Sequence, residues 1–404
     1  MHPWLVCRVF RAVPRLLCLG FLLVAVLGRA EERKANTLTR AEVDAGWIQL
    51  FDGETLFGWS PRGSAQWRAV DGTLQPVTGT GGGFLCTTTE FADFELHAEF
   101  WIDETANSGV FLRCPRTGDI TPWTAYEVNI YDAHEKWPTG SINEVGRRRG
   151  RVSTVGRWNA FDLTAVGDRF TVSLNGRRVL RVRQDRHARG LIALQTLTGA
   201  GSVRFREVRV RPLGLGTLFN GRDLTGWRVV PGHASVYSVT PEGWLHVRNG
   251  NGDLQTEARF GDFILQLQAI SNGKHLNSGI FFRGVPGEFW QGYESQLRNQ
   301  WEGEDRTKPV DFGTGGIYRR QPARRVVSSD HQWMTKTIVA QGRHLAVWVD
   351  GYPVSDWTDD RAPSDNPRQG YRAAPGVLSI QGHDPTTDLS FRAIRAVELP
   401  PARD

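Results

Sequence analysis

One ten-residue phrase occurs twice in this chain, as LFDGETLFGW from Leu50 to Trp59 and as LFNGRDLTGW from Leu218 to Trp227. A phrase that returns 168 positions later marks a duplicated unit, and duplication limits the fold more than composition does. The segments that follow correspond in order. FELHAEF (Phe94–Phe100) answers FILQLQA (Phe263–Ala269), and NSGVFLR (Asn107–Arg113) answers NSGIFFR (Asn277–Arg283). YEVNI (Tyr126–Ile130) answers YESQL (Tyr293–Leu297), and TGSI (Thr139–Ile142) answers TGGI (Thr314–Ile317). Trp158 answers Trp333, and VRFREVRV (Val203–Val210) answers LSFRAIRAV (Leu389–Val397). The offset grows to 175 and then to 186, so the second copy carries extra loop after Trp301 and after Trp357.

Each copy is written in period two. Phe94, Leu96, Ala98 and Phe100 fall on one face of a strand, and Glu95, His97, Glu99 and Trp101 on the other. Asp71-Gly72, Asn175-Gly176 and Asp350-Gly351 suit tight hairpins. Apart from a short turn near Thr39–Ala45, no amphipathic helix stands outside the first thirty residues. The pattern predicts an all-β chain of two tandem two-sheet sandwiches, residues 46–212 and 215–400, each with one curved open face.

Residues 1–30 read differently. Arg8, Arg11 and Arg15 precede a short apolar run from Leu16 to Gly28, and a small residue closes it, as in a secretory signal peptide. The run is shorter than the roughly 20 residues a spanning helix needs. The expectation is a secreted or periplasmic protein with no membrane span once the leader is removed. Without the leader's four arginines, 45 basic residues face 43 acidic ones, so nothing electrostatic points to nucleic acid. Cys86 and Cys114 remain in the mature chain, and both a disulfide and two buried thiols are compatible with their spacing. No metal-ligand spacing, phosphate loop or nucleophile elbow appears; no cofactor is required, and a divalent metal is left open. The oligomeric state is not legible.

Strand parity then selects candidates. With Tyr126, Val128 and Ile130 in the core, Glu127 and Asn129 face the open sheet; Glu294 and Gln296 do the same in the second copy. Arg113 and Arg283, by the same alternation, would join Glu127 and Glu294 there, either as a polar site or as an ion pair on a solvated sheet. A two-carboxylate glycosidase needs a second acid about 5–10 Å away. Each strand supplies one. Glu99 could complete a pair in the first copy, but Gln268 stands near the matching place in the second. Many tryptophans, fifteen in all, offer flat faces on which sugars stack.

Taken in order, LFNGxxLxGW, NSGIFFR, YExQ, TGGIY and a closing QxH before FRxIR resemble the 3-keto-disaccharide hydrolase family, once per copy. The resemblance implies a concanavalin-like jelly-roll sandwich and a carbohydrate substrate oxidised at carbon 3. It also implies a route that needs one base, an acid for the leaving oxygen and a donor for the enolate, but no nucleophile. Glu294 or His383 would be the base, the other would assist the leaving group, and Arg283 would hold the enolate or the substrate. Glu127 and Arg113 are the first copy's catalytic candidates. Gln296, Asn129, Tyr318, Asp384 and Trp290 are candidates for sugar binding. The second copy keeps Gln381, His383 and Asp384, whereas the first has Gln195, Leu197 and Thr198 there, which favours the second as the active domain. The second copy also has Asn299 where the first has Asp132 after this strand. The first copy would be a binding partner, or a site of altered specificity using His97 or His134. The rival reading is a non-catalytic carbohydrate-binding or surface-interaction protein on the same fold.

Overall fold

The computed structural model describes residues 1, 2, 4, 34–366 and 368–401. The leader expected over residues 1–30 lies almost wholly outside the described residues. From Ala35 onward the chain forms one compact unit containing both copies. Among the described residues no helix is long and apolar enough to cross a membrane.

Each copy is a sandwich of an eight-stranded and a five-stranded antiparallel sheet. The five-stranded sheet has the same order in both. In the first copy it runs Trp59–Gly63, Gly83–Phe91, Gly190–Thr196, Ser108–Cys114, Tyr126–Ile130. In the second it runs Trp227–Val229, Gly252–Phe260, Gly376–Gly382, Ser278–Gly284, Tyr293–Leu297. The extra loop after Trp301 holds a small hairpin of Trp301–Glu302 and Asp305–Pro309. The helical turn near Thr39 is Arg40–Asp44, begun by a capping box in which Thr39 and Glu42 satisfy each other's backbone N–H groups.

The repeated phrase is the device that opens each sandwich. Asp52 and Asn220 each accept two following backbone N–H groups, forming the tight turn. Trp59 and Trp227 then reach back, their indole N–H groups donating to Leu50 O at 2.6 Å and Leu218 O at 2.9 Å. Each ring plugs its own core.

The TGSI and TGGI segments cover the sheet edge that carries the candidate glutamates. Gly315 N–H donates to Gln296 O at 2.8 Å, and Tyr318 N–H to Glu294 O at 2.9 Å. Gly140 and Asn143 make the same bonds to Asn129 O and Glu127 O. Gly315 has φ +92° and a Cβ there would lie 2.4 Å from Val354, so only glycine fits. This edge strand is thereby paired on both sides and held rigid.

The two copies are packed together. The eight-stranded sheet of the second turns Ile264, Val339, Ala346 and Trp348 outward, and these join the first copy's hydrophobic core. The Trp348 indole donates to Gln49 O at 2.8 Å, and Gln266 donates to Gly46 O at 2.9 Å. Arg189 bridges Glu90 at 3.2 Å and Asp262 at 3.0 Å, one acid from each copy. The first copy therefore buttresses the back of the second and leaves the second's five-stranded face open. Cys86 and Cys114 are buried free thiols, packed with Phe111, Ala125, Leu191 and Ala193.

Candidate active site

The NSG motif builds the site residue by residue. Ser278 donates to Gln381 O at 2.7 Å and locks two neighbouring strands. Gly279 pairs with Gln296, and a Cβ on it would sit 2.5 Å from the Glu294 carboxylate. Its missing side chain is the space the carboxylate occupies. Asn277 joins the opposite ends of the site: its Oδ1 accepts from Gln296 Nε2 at 2.9 Å, and its Nδ2 lies 3.1 Å from His383 Nε2. His383 Nδ1 is 2.8 Å from Asp384 Oδ2. With Nδ1–H donated to Asp384, Nε2 carries a lone pair and accepts from Asn277. The Trp290 ring lies nearly parallel to the His383 imidazole, 5.5 Å between centroids and 13° between planes.

These side chains line a cleft of two lobes. One, about 310 Å³, is bounded by Asn277, Trp290, Gln296, Gln381 and His383. The other, about 360 Å³, is bounded by Tyr293, Arg320, Arg361 and Gln369. Gln291, Glu294, Tyr318, Arg319 and Arg368 line both. Glu294 is the single carboxylate lining either lobe among the described residues. Burial pushes its pKa up to about 7, against the pull of Arg368, whose Nη2 lies 3.3 Å from Oε2, and of Lys336. Burial works against the Asp384 charge, but the Thr386 hydroxyl and His383 hold its pKa below the usual range. Gln296 Oε1 and Gln381 Oε1 are buried with no hydrogen-bond partner among the described residues. Among the described residues no three His, Cys, Asp or Glu side chains come together as metal ligands would.

Of the sequence candidates, the structure brings together Glu294, His383, Asp384, Gln296, Tyr318 and Trp290. It separates Arg283 and Arg113 from them. Arg283 is 1% exposed, and its guanidinium is consumed by Gly261 O, Gly342 O, Arg372 O and Asp262. Arg113 is held the same way by Ala92 O, Gly167 O, His187 O and Asp93. The alternation fails because each arginine sits at a register shift with φ +50° or +55°, which turns its side chain into the end of the sandwich. These arginines rivet loops; they do not hold substrate or an enolate.

The first copy's alternatives also come apart. Glu127 is buried with a pKa raised to about 7 by burial, and Asn143 opposes the rise. Asn129 is tied to Trp137 O. Asp132 is spent on Thr154, at 2.6 Å from its N–H and 2.9 Å from its hydroxyl. Glu99 and His97 belong to the other sheet, where Glu99 binds Arg206 at 2.6 Å and His97 binds Asp162 at 2.7 Å. The His134 ring accepts the N–H groups of Lys136 and Trp137 and serves its own loop. Gln268 is likewise on the back sheet, bonded to Asp44.

Three participants escaped the sequence reading. Arg368 comes from the extra loop after Trp357, which has no periodicity to read. Asp311 accepts from Gln296 at 2.7 Å, while Asn299 is bonded to the Thr314 and Ser328 hydroxyls. Lys336 is fully buried beneath the site and donates to Ser295 O and Gln296 O at 2.8 and 2.7 Å. Its signal was present: Met334, Lys336, Ile338 and Ala340 share one parity, so a lysine stands on an apolar face.

A 3-keto-disaccharide hydrolase of Bacteroides thetaiotaomicron is 31% identical over an alignment covering 20% of this chain and 37% of that protein, so the match spans little more than a third of the relative. Among solved structures, a putative glycosyl hydrolase of Parabacteroides distasonis is 20% identical, with 45% of this chain and 100% of that one covered and a TM-score of 0.41. The carbohydrate-binding module CBM66 of Bacillus subtilis is 17% identical, with 38% and 95% covered and a TM-score of 0.32. Neither likeness bears on the chemistry. The model of the 3-keto-alpha-glucoside-1,2-lyase-like domain matches residues 46–211 and again 214–396, and the chain therefore belongs to that family, twice over.

Proposed function

We propose that the second copy cleaves glycosides whose sugar carries a ketone at carbon 3, by elimination followed by hydration. The observation that carries the reading is the pairing in one cleft of the Glu294 carboxyl, with its pKa of about 7, and an Asp-supported histidine. Among the described residues only Glu294 lines the cleft, with Asp311 bonded to Gln296 and Asp384 to His383, and one lining carboxylate does not suit the two-carboxylate mechanisms of ordinary glycosidases. It suits a substrate that supplies its own activation. The carbon-3 ketone acidifies the carbon-2 hydrogen, His383 Nε2 removes it, and Asp384 stabilises the imidazolium that forms. Asn277 must yield its bond to Nε2 as the substrate enters. The carbon-2 electrons then form the carbon 1–carbon 2 double bond as the carbon 1–oxygen bond breaks. Protonated Glu294, at the junction of the lobes, gives its proton to the departing oxygen. Arg368 balances the enolate charge in the place first sought for Arg283. Water adds to carbon 1, and a proton returns to carbon 2. The keto-sugar occupies the lobe of Trp290, Gln296 and Gln381, and the leaving group occupies the other. Export, read from the N-terminal segment, belongs to the same proposal.

The test is cleavage of 3-keto-trehalose and 3-keto-sucrose in D2O beside the unoxidised sugars. The expected result is release from the keto forms alone, with deuterium appearing at carbon 2 of the product. Cleavage without carbon-2 exchange contradicts the elimination. Binding without turnover would instead favour a carbohydrate-binding role.

A further inference from the structure

The leaving-group lobe has a chemical character of its own. Arg319, Arg320, Arg361 and Arg368 all line it, against the one carboxylate of Glu294. Arg361 is neutralised from behind by Asp359, both of whose oxygens lie 2.7 Å from the guanidinium. The others are not balanced. Arg368 donates to Trp290 O at 2.7 Å and, among the described residues, meets one carboxylate, Glu294, at 3.3 Å. Arg320 donates to the carbonyls of Arg319 and Arg368 and is in no ion pair with a carboxylate among the described residues. Arg319 lies over the Tyr318 ring, 5.3 Å from its centroid, and has no acidic partner among the described residues. The Arg320 pKa is lowered by burial and by the neighbouring Arg361 and Arg368, opposed by Asp359, which is the mark of cations crowded together.

The first copy shows that the fold does not require this. Glu144 and Val145 stand where the second copy has Arg319 and Arg320, and Glu144 shares the left-handed backbone of Arg319, φ +58° in both. Arg361 and Arg368 belong to the extra loop after Trp357. All four cations are thus additions to a frame that folds without them. Holding several guanidinium groups together costs energy unless an anion joins them.

We infer that the leaving-group lobe is an oxyanion subsite, so that the favoured substrates are 3-keto-glycosides whose leaving group carries a carboxylate, sulfate or phosphate. The inference rests on the functional reading above for which lobe takes which part of the substrate. Arg319, with no acidic partner among the described residues, and Arg320, bonded to backbone carbonyls, supply the uncompensated charge, and Arg361 is held in place by its ion pair with Asp359.

The experiment compares 3-keto-glucosides of phenol, 4-hydroxybenzoate, 4-hydroxyphenyl sulfate and 4-hydroxyphenyl phosphate, with calorimetric binding of the corresponding unoxidised glucosides alongside. We expect kcat/KM for at least one anionic leaving group to exceed that for its neutral counterpart tenfold or more, and the excess to shrink as salt is raised. The three anionic arms tell carboxylate, sulfate and phosphate apart. In Arg319→Glu/Arg320→Val, which writes the first copy's residues into the second, the ratio should fall toward one or below. Equal turnover of neutral and anionic substrates by the unaltered protein overturns the subsite, and so does a ratio that survives the double substitution. If no keto-glucoside turns over, the functional reading fails, and calorimetry decides the subsite alone: tighter binding of the anionic glucosides, lost in the double variant, upholds it, and equal binding overturns it.

Discussion

The concave faces of the two sandwiches differ more than their shared backbone would suggest. In the first copy, cross-strand neighbours on that face are Phe84, Cys86, Phe111, Leu191 and Ala193, a dry layer of packed side chains. In the second, the same register positions hold Asp253, Gln255, Phe281, Val377 and Ser379. Asp253 is 1% exposed and burial lifts its pKa to about 6. Beneath the glutamate strand the contrast reverses the same way, with Phe161 in the first core where Lys336 is buried in the second. Buried polar groups are costly, and a fold keeps them where they serve a ligand or a reaction. The first copy has spent its five-stranded sheet on packing, and one strand of it, Gly83–Phe91, supports the twin through Thr89 and Glu90, which bond His344 and Gln341. Glu127 survives there without the cation, the histidine or the space.

The contrast can be broken in order of expected effect. Glu294→Gln and His383→Leu should each lower kcat/KM on a 3-keto-disaccharide by about 10²–10⁴-fold, whereas Glu127→Gln should leave it within about twofold, all measured by initial rates. Arg283→Ala should destabilise the protein by about 3 kcal/mol or more, because Asp262 and three carbonyls lose their partner, and Arg113→Ala should do the same in the first copy. Denaturant melts of both variants check the equivalence; a variant of normal stability would restore a functional role to that arginine. Phe84→Asp, which writes the second copy's residue into the dry face, should cost about 2–3 kcal/mol, since no Gln255 or Ser379 equivalent is there to bond it.

The smallest effects concern pH. If Glu294 acts as the acid, kcat/KM falls as pH rises through about 7, because the protonated form is lost. Arg368 and Lys336 both favour the Glu294 anion, so Arg368→Gln should move this limb to higher pH and Lys336→Met should move it less in the same direction. A limb that shifts downward in either variant contradicts the assignment.

The duplication, the all-β sandwich and the inward or outward sense of Tyr293-Glu294-Ser295-Gln296 were legible because strand alternation has a fixed period and the repeat displays it twice. Alternation failed at Arg113 and Arg283, where one left-handed residue at a bulge reverses the face without leaving a mark in composition. The partners Asn277 and Asp311 were unreadable as partners, since sequence order does not say which loops meet at a sheet edge. Arg368 was hidden in a loop, where no period constrains the residues. Lys336 could have been read: a lysine on an apolar strand face, opposite a phenylalanine in the other copy, announces a buried charge near something that needs it.

The most direct test of the account is the rate of release from 3-keto-trehalose for Glu294→Gln beside Glu127→Gln, with folding of both confirmed by melting. The account predicts that the first is nearly inactive and the second nearly normal. Loss of activity in Glu127→Gln, with Glu294→Gln unimpaired, would place the chemistry in the first copy and contradict it.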